Sequence, residues 1–300
     1  MATKITHIVN ATTTSSTTPV SAREKLENYP IVVALYTDME NTIMEVHSHP
    51  YYEIILPLSG MVRYASGGNL YDLCAGDLIL IPNEIYHTFH LDMTPSAYER
   101  IIVKIDADFW EERCHELHVE DALLKKEILL LRSGSISQWN LRTLFERMNK
   151  STELEGFHQE IAFRSQLSEF MMILDQTIEE NLVAAPNVLN SLATKALEYI
   201  ETHFKDPSLN VRQVSEYTYV SREHLSRIFK EYTGQSVHVY ITSLRMQAFR
   251  EALAEGQNIL TACSDCGFSD YSTFNRSFRK LYGMSPAEYR DRLKRQPDQP

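Results

Sequence analysis

The spacing of apolar residues changes character twice along this chain. Between about Pro30 and Asp106 the apolar runs are short: IVVALYT, EIILPLSG, MVRYA, DLILIP and ERIIVKI. They are rich in β-branched and aromatic residues and are punctuated by Ser59-Gly60, Gly67-Gly68-Asn69, Ala75-Gly76-Asp77 and Pro82-Asn83. Many short strands with regular turn signals predict a barrel or jelly roll rather than a parallel sheet. After Asp106 the period becomes helical. Phe109 to Leu131 and Ser137 to Leu182 repeat apolar residues at helix spacing, as in Leu123, Leu124, Ile128 and Leu131, then Phe163, Leu167, Phe170 and Leu174. These helices are expected to cover the barrel or to form a dimer seam. The stretch VAAPNVLNS, Val183 to Ser191, breaks the pattern and reads as a linker.

From Ser191 onward the chain reads as about seven short helices. Asn210-x-x-Gln213 and Ser285-Pro286-Ala287-Glu288 fit capping boxes, the second with Pro at the first helical position. Gly234, Gly256, Gly267 and Gly283 fall where helices would end.

Composition adds limits. Three hundred residues, 43% apolar and 23% charged, fit about two globular domains. No run approaches the ~18 apolar residues of a spanning helix. The opening MATKITHIVNATTTSSTTPVSA lacks a secretory apolar core and reads as a mobile Thr/Ser-rich arm, so a cytoplasmic protein is expected. The net charge of −11 is uneven: residues 190–300 hold 15 Lys/Arg against 13 Asp/Glu, and the first 189 hold 14 against 27. An acidic N-terminal part thus precedes a mildly basic C-terminal one. Cys74, Cys114, Cys263 and Cys266 are too few and scattered for a disulfide framework, and the C-x-x-C of the last two reads as helix packing.

Two C-terminal segments are alike: VSREHLSRIFKEYTGQS, Val220 to Ser236, and FSDYSTFNRSFRKLYGMS, Phe268 to Ser285. Aligned on Leu225 and Phe274, both read apolar-x-Arg-x-Phe-(Lys/Arg) and then Tyr-x-Gly or Tyr-Gly. Two helix-turn-helix units in tandem are the economical reading. Leu225, Ile228 and Phe229, or Phe274, Phe278 and Leu281, would face the core. The other face would project Arg222, Glu223, Ser226 and Arg227, or Tyr271, Ser272, Asn275 and Arg276. Arg reads guanine edges, Asn reads adenine, and hydroxyls reach bases or phosphate. A small helical interaction domain with solvated faces would share the same pattern.

HLSRIFKEYTGQSVHVYITSLRMQ and GFSDYSTFNRSFRKLYGMSPAEYR resemble the DNA-binding domain of the AraC/XylS family of bacterial transcription regulators. Gly267-Phe268, the Phe274/Arg276/Phe278 spacing and the closing Gly-x-Ser-Pro-x-x-Tyr-Arg are the specific features. The resemblance implies two recognition helices entering successive major grooves, about 34 Å apart, on one face of the duplex. Departures are Ser215, Phe249 and Ala262 in the packed helices, Cys263 and Cys266 at interior positions, and Tyr219 where the first turn usually has Gly.

The stretch HSHPYYE, His47 to Glu53, has a matching partner downstream, and the two resemble the motifs of the cupin-type sensor common in this family. His47, His49, Glu53 and His87 fill the four positions that bind metal in cupin enzymes. Such a set suits zinc, iron, nickel or manganese. The same residues, with Tyr52, Tyr64 and neighbouring aromatics such as Tyr51, Tyr86 and His90, would equally hydrogen-bond an organic effector. A third reading has His87 and Glu53 simply bracing the strands.

The expectation is a multi-domain α+β chain. It comprises an arm (1–24), a cupin-like jelly-roll barrel (25–106), a helical dimerisation segment (107–182), a linker (183–191) and an all-α double helix-turn-helix domain (192–295). The resemblance implies a homodimeric, non-enzymatic regulator that binds promoter DNA and senses a small molecule, a saccharide or related carbon source by family precedent. RNA polymerase is a partner if it activates, and no membrane is involved. A metal-dependent cupin enzyme fused to a DNA-binding module is the alternative, and partner-protein regulation through Trp110 and Trp139 is a third.

Overall fold

The computed structural model describes residues 30–38, 44, 46–91, 98–185 and 191–295. The expected N-terminal arm lies outside the described residues. Five strands fall on the short apolar runs, β1 (Ile31–Asp38), β2 (Tyr51–Pro57), β3 (Met61–Ser66), β5 (Leu78–Ile81) and β7 (Tyr98–Asp106), and two more, β4 (Asn69–Cys74) and β6 (His87–His90), form between them. Among the described residues they form two antiparallel sheets rather than one closed barrel. Two further short strands, β8 (Leu129–Leu131) and β9 (Val183–Ala184), extend the larger sheet, whose order is β1-β7-β2-β5-β8-β9. The smaller is β4-β3-β6.

Strand β8 corrects the helical reading of its segment, and β9 takes up the first two residues of the expected linker, of which residues 186–190 lie outside the described residues. Three consecutive leucines satisfy either period, and pairing Leu129–Leu131 along the edge of β5 decided for the strand. The helices of this half are α1 (Ala107–Leu117), α2 (Glu120–Leu123), α3 (Ser133–Ile136), α4 (Leu141–Ser151) and α5 (Gly156–Glu179).

Strand alternation sorts the apolar residues into two layers. On β2, Tyr52, Ile54 and Leu56 turn outward into a core with Trp110, Phe145, Phe163 and Phe170 of the covering helices. Ile55 turns inward, where it meets Val62, Tyr64, Leu73, Ile79 and Phe89 between the sheets. Trp110 is fully buried here, which removes it as a surface for a protein partner.

Seven helices follow: α6 (Ser191–His203), α7 (Val211–Tyr217), α8 (Arg222–Thr233), α9 (Val237–Ala254), α10 (Ile259–Asp265), α11 (Tyr271–Tyr282) and α12 (Pro286–Arg295). Both predicted capping boxes form, with Asn210 and Gln213 exchanging hydrogen bonds and Ser285 and Glu288 doing the same. Leu225, Ile228, Phe229, Phe274 and Phe278 are buried as expected. Leu281 is not: it is 39% exposed, and the ring of its neighbour Tyr282 packs on Phe278 instead. Phe249 of α9 lies 4.5 Å from Phe274 and 5.5 Å from Phe278, ring centre to ring centre. Cys263 and Cys266 are buried, free thiols, and burial pushes each up to about 11.

The halves share a core. Val46, Ala65 and Leu70, on the outer side of the smaller sheet, are buried with Ala193, Ala196 and Leu197 of α6. The β3–β4 turn is pressed so closely on α6 that a Cβ at Gly68 would stand 2.9 Å from that of Glu198. The Gly68 N–H donates to Glu201 at 2.7 Å, and the Tyr240 hydroxyl donates to the other Glu201 oxygen at 2.7 Å.

Two features of the fold yield testable predictions, the first being its left-handed turn residues and the second a buried carboxyl. Gly267 closes the second helix-turn-helix turn at φ +88°, and an added Cβ would lie 2.8 Å from the carbonyl oxygens of Phe204 and Lys205. Gly267→Ala should therefore cost about 2–4 kcal/mol in urea unfolding. Tyr219, at the first turn, also adopts a left-handed φ of 57° but is 94% exposed, so Tyr219→Gly should be neutral or stabilising by about 1 kcal/mol. The second prediction concerns Glu201. Burial raises its carboxyl from 4.5 to about 7, against the opposing hydrogen bonds from Tyr240 and Gly68. The folded state therefore holds the proton over a range where the unfolded chain has lost it. The contribution is full below pH 4.5 and is lost as pH rises through about 7. Thermal midpoints should fall across that window in the wild type and fall less in Glu201→Gln.

Candidate functional site

Between the sheets, three histidines meet. His47 and His87 exchange backbone hydrogen bonds at 3.0 and 2.9 Å, which sets their rings side by side with centres 4.3 Å apart. The ring of His49 is 5.0 Å from that of His87. One ligating nitrogen from each imidazole lies within 4.8 Å of the other two, and all three residues are buried.

The backbone assigns the protons. Nδ1 of His49 is 2.8 Å from the Tyr51 carbonyl oxygen, and Nδ1 of His87 is 2.9 Å from that of Ile85. A carbonyl only accepts, so each Nδ1 carries the hydrogen and each Nε2 presents a lone pair. Both Nε2 atoms are buried without a hydrogen-bond partner, each 3.6 Å from Oε2 of Glu53. That separation is too long for a hydrogen bond. The bracing expectation for His87 and Glu53 is thereby corrected: three electron-rich atoms converge with no hydrogen between them. Imidazoles anchored by Nδ1–H on backbone carbonyls, with Nε2 aimed at a common point, have the support that metal-ligating histidines need.

Lys104 completes the electrostatics. Its ammonium is 3.5 Å from Oε1 of Glu53 and donates to the Tyr51 hydroxyl at 3.1 Å. Burial alone would raise the Glu53 carboxyl, yet it is held well below its usual range, with the adjacent Lys104 ammonium the largest opposing influence. Burial likewise lowers His49, keeping it neutral and able to ligate. Burial pushes the Tyr51 hydroxyl up to about 12 despite Lys104.

The expected effector residues divide. His47, His49, Glu53 and His87 gather as predicted, and Tyr64 lies in the same inter-sheet layer. Tyr52 does not. It faces the opposite side of β2 and stacks on Trp110 at 4.7 Å, because residues 51 and 53 share the inner face and residue 52 cannot. Tyr51 takes the inner place, stacked on His49 at 3.8 Å. Tyr86 turns away from the histidines toward Phe204 of the helical domain. Lys104 was missed, although a lysine inside the apolar run ERIIVKI is the available signal. So was Arg100, 5% exposed, whose guanidinium sits over the rings of Tyr36, Phe89 and Tyr98.

The second candidate surface is formed by α8 and α11. Ser221 and Asp270 cap them by accepting from the backbone N–H of His224 and Thr273, and Gly234 and Gly283 end them in left-handed turns. Arg222, Glu223, Ser226 and Arg227 are exposed on α8, as are Tyr271, Ser272 and Arg276 on α11. Asn275 is half-buried with its Oδ1 enclosed, so it projects less than the pattern implied. Lys230, Arg279 and Lys280 add exposed positive charge to the same helices. Arg227 pairs with Glu231 at 3.7 Å in solvent, a contact worth little and readily exchanged for phosphate or a base edge. Arg227→Glu and Arg276→Glu should each weaken binding to a selected duplex by more than tenfold in a mobility-shift titration. Parental affinity in both would mean that these helices do not read DNA.

Comparison with known proteins covers both surfaces. Residues 29–177 match the AraC-like ligand binding domain, and residues 214–292 match a helix-turn-helix domain. The regulatory protein PocR of Salmonella typhimurium is 29% identical over 153 residues, half of each chain. The transcriptional activator RhaS of Mannheimia succiniciproducens is 24% identical over 276 residues, 90% of this chain and 97% of its own. A crystal structure of ToxT from Vibrio cholerae aligns over 91% of this chain and 99% of that one, at 15% identity and a TM-score of 0.42. A ligand-binding domain followed by two helix-turn-helix units, matched along nearly its whole length by such a regulator, places the chain in the AraC/XylS family of transcription regulators.

Proposed function

We propose that this protein is a ligand-responsive, sequence-specific transcription regulator. Its recognition helices α8 and α11 would bind promoter DNA as part of a homodimer in the cytoplasm, and an occupant of the inter-sheet site would alter that binding. RNA polymerase is the further partner if the outcome is activation. The observation that carries the reading is the direct packing of the ligand-bearing sheet on the helical domain, since an effector acts only through a difference in its affinity for two arrangements.

For the occupant, the two orphaned Nε2 lone pairs favour a divalent transition metal held by His47, His49 and His87, with Glu53 beside them. A bound metal would supply a Lewis-acidic centre with positions open to a chelating small molecule. The saccharide expectation stays as the alternative occupant, since the same lone pairs accept from hydroxyls. The relatives are regulators, so the fused-enzyme alternative gains no support.

Elemental mass spectrometry of tag-free protein, purified without chelators, tests the occupant. About one metal per chain, lost in His49→Ala, is expected. Metal-free protein whose DNA affinity responds to a sugar would replace the metal with an organic effector. Absence of any selectable DNA sequence would sink the regulator reading itself.

A further inference from the structure

The histidines that form the site have neighbours that leave it. Ser48 lies between His47 and His49, and Tyr86 immediately precedes His87. Successive side chains of extended backbone point to opposite sides, so when the histidines turn inward these two turn out toward the helical domain. Both end on one side chain. The Ser48 hydroxyl donates to Oε1 of Glu251, and the Tyr86 hydroxyl donates to Oε2 at 2.8 Å. Gln247, one turn earlier on α9, donates to the Ser48 carbonyl at 3.3 Å and to Oε1 of Glu251 at 3.0 Å.

Helix α9 joins the two helix-turn-helix units. Its Tyr240 ring lies 5.4 Å from Phe229 of α8, and its Phe249 ring lies 4.5 Å from Phe274 of α11. Glu251 is two residues beyond Phe249. A displacement of the His47–His49 stretch relative to His87 therefore reaches, through two hydroxyls and one carboxylate, the helix against which both recognition helices pack. Charge assistance makes these the stronger polar contacts of the seam.

We propose that Glu251 is a positioning residue that transmits the state of the histidine cluster to the DNA-binding helices. This rests on the reading of the chain as a ligand-responsive DNA-binding protein. Glu251 touches neither DNA nor the site's occupant. It holds the two limbs of the site in one relation to α9, and an occupant that draws the limbs together changes that relation.

The test uses the full chain, zinc chloride as the probe, and a duplex selected from random sequence by the wild-type protein. Glu251→Ala, Tyr86→Phe and the double variant are compared by fluorescence anisotropy, with near-ultraviolet circular dichroism confirming folded protein. DNA affinity in the absence of zinc should shift severalfold, in the same direction, in both single variants, and the double variant should shift no further than Glu251→Ala. Zinc should change wild-type DNA affinity by about 5-fold or more. Glu251→Ala should bind zinc in calorimetry as the wild type does yet lose that response, and Glu251→Gln, which keeps one acceptor oxygen, should recover part of it. If zinc binds and the response survives in Glu251→Ala, the proposal is overturned. It is equally overturned if the single variants leave DNA affinity unchanged or their effects simply add. If zinc does not bind the wild type, the metal reading fails, and the double-variant comparison alone decides the role of Glu251.

Discussion

The structure depends on a three-stranded sheet buried on both faces. In β4-β3-β6 one set of alternate side chains, Val62, Tyr64, Leu73 and Phe89, closes over the histidine site. The other, Ala65 and Leu70, enters the core built around α6. Because the period of a strand is two, neither set can move without the other. The site and the DNA-binding helices are thus separated by one sheet thickness rather than by a free linker. That is the physical basis on which ligand and DNA can influence each other.

The polar contacts follow the same seam. Gly67-Gly68 is at once a tight turn and a point of close backbone approach, since α6 lies where a Cβ at Gly68 would sit. Gln235, just past α8, donates to the Met44 carbonyl at 3.2 Å and to the Thr88 hydroxyl at 3.3 Å. Arg63 of β3 stacks over Tyr232 of α8, 5.1 Å from the ring centre, while its guanidinium holds Asp72 across the strand pair. Each of these is modest alone. Together they leave few buried polar groups of the seam unpaired, which is what makes a polar contact surface tolerable.

Within the site the balance of charges decides what can bind. Glu53 is already compensated by Lys104, so the carboxylate alone does not demand a cation. The demand comes from the imidazoles, whose Nδ1 hydrogens are committed to carbonyls and whose Nε2 lone pairs face one another and the carboxylate across 3.6 Å. A metal ion or a hydroxyl donor satisfies that arrangement. A second carboxylate would add to the repulsion.

Much of this was legible in the amino-acid sequence by itself. The change from period two to helical spacing, the two aligned segments ending in Tyr-x-Gly and Tyr-Gly, and the capping boxes at Asn210 and Ser285 determined the two-domain order and seven terminal helices. They did so because each is a local rule. Three candidate site residues, His47, His49 and Glu53, were also legible, since their spacing is local, while His87 was reached only through the resemblance to the second cupin motif. What only the tertiary structure decided depends on neighbours far away in the chain. Tyr52 and Tyr51 are equally aromatic, and only the register of β2 between β5 and β7 shows which faces the site. Leu129–Leu131 fits a helix until the edge of β5 offers it a partner. Leu281 yields its place to Tyr282 because α12 brings Tyr289 against the same core. Glu251 carries no sequence signal at all, since its meaning lies in two hydroxyls 203 and 165 residues away.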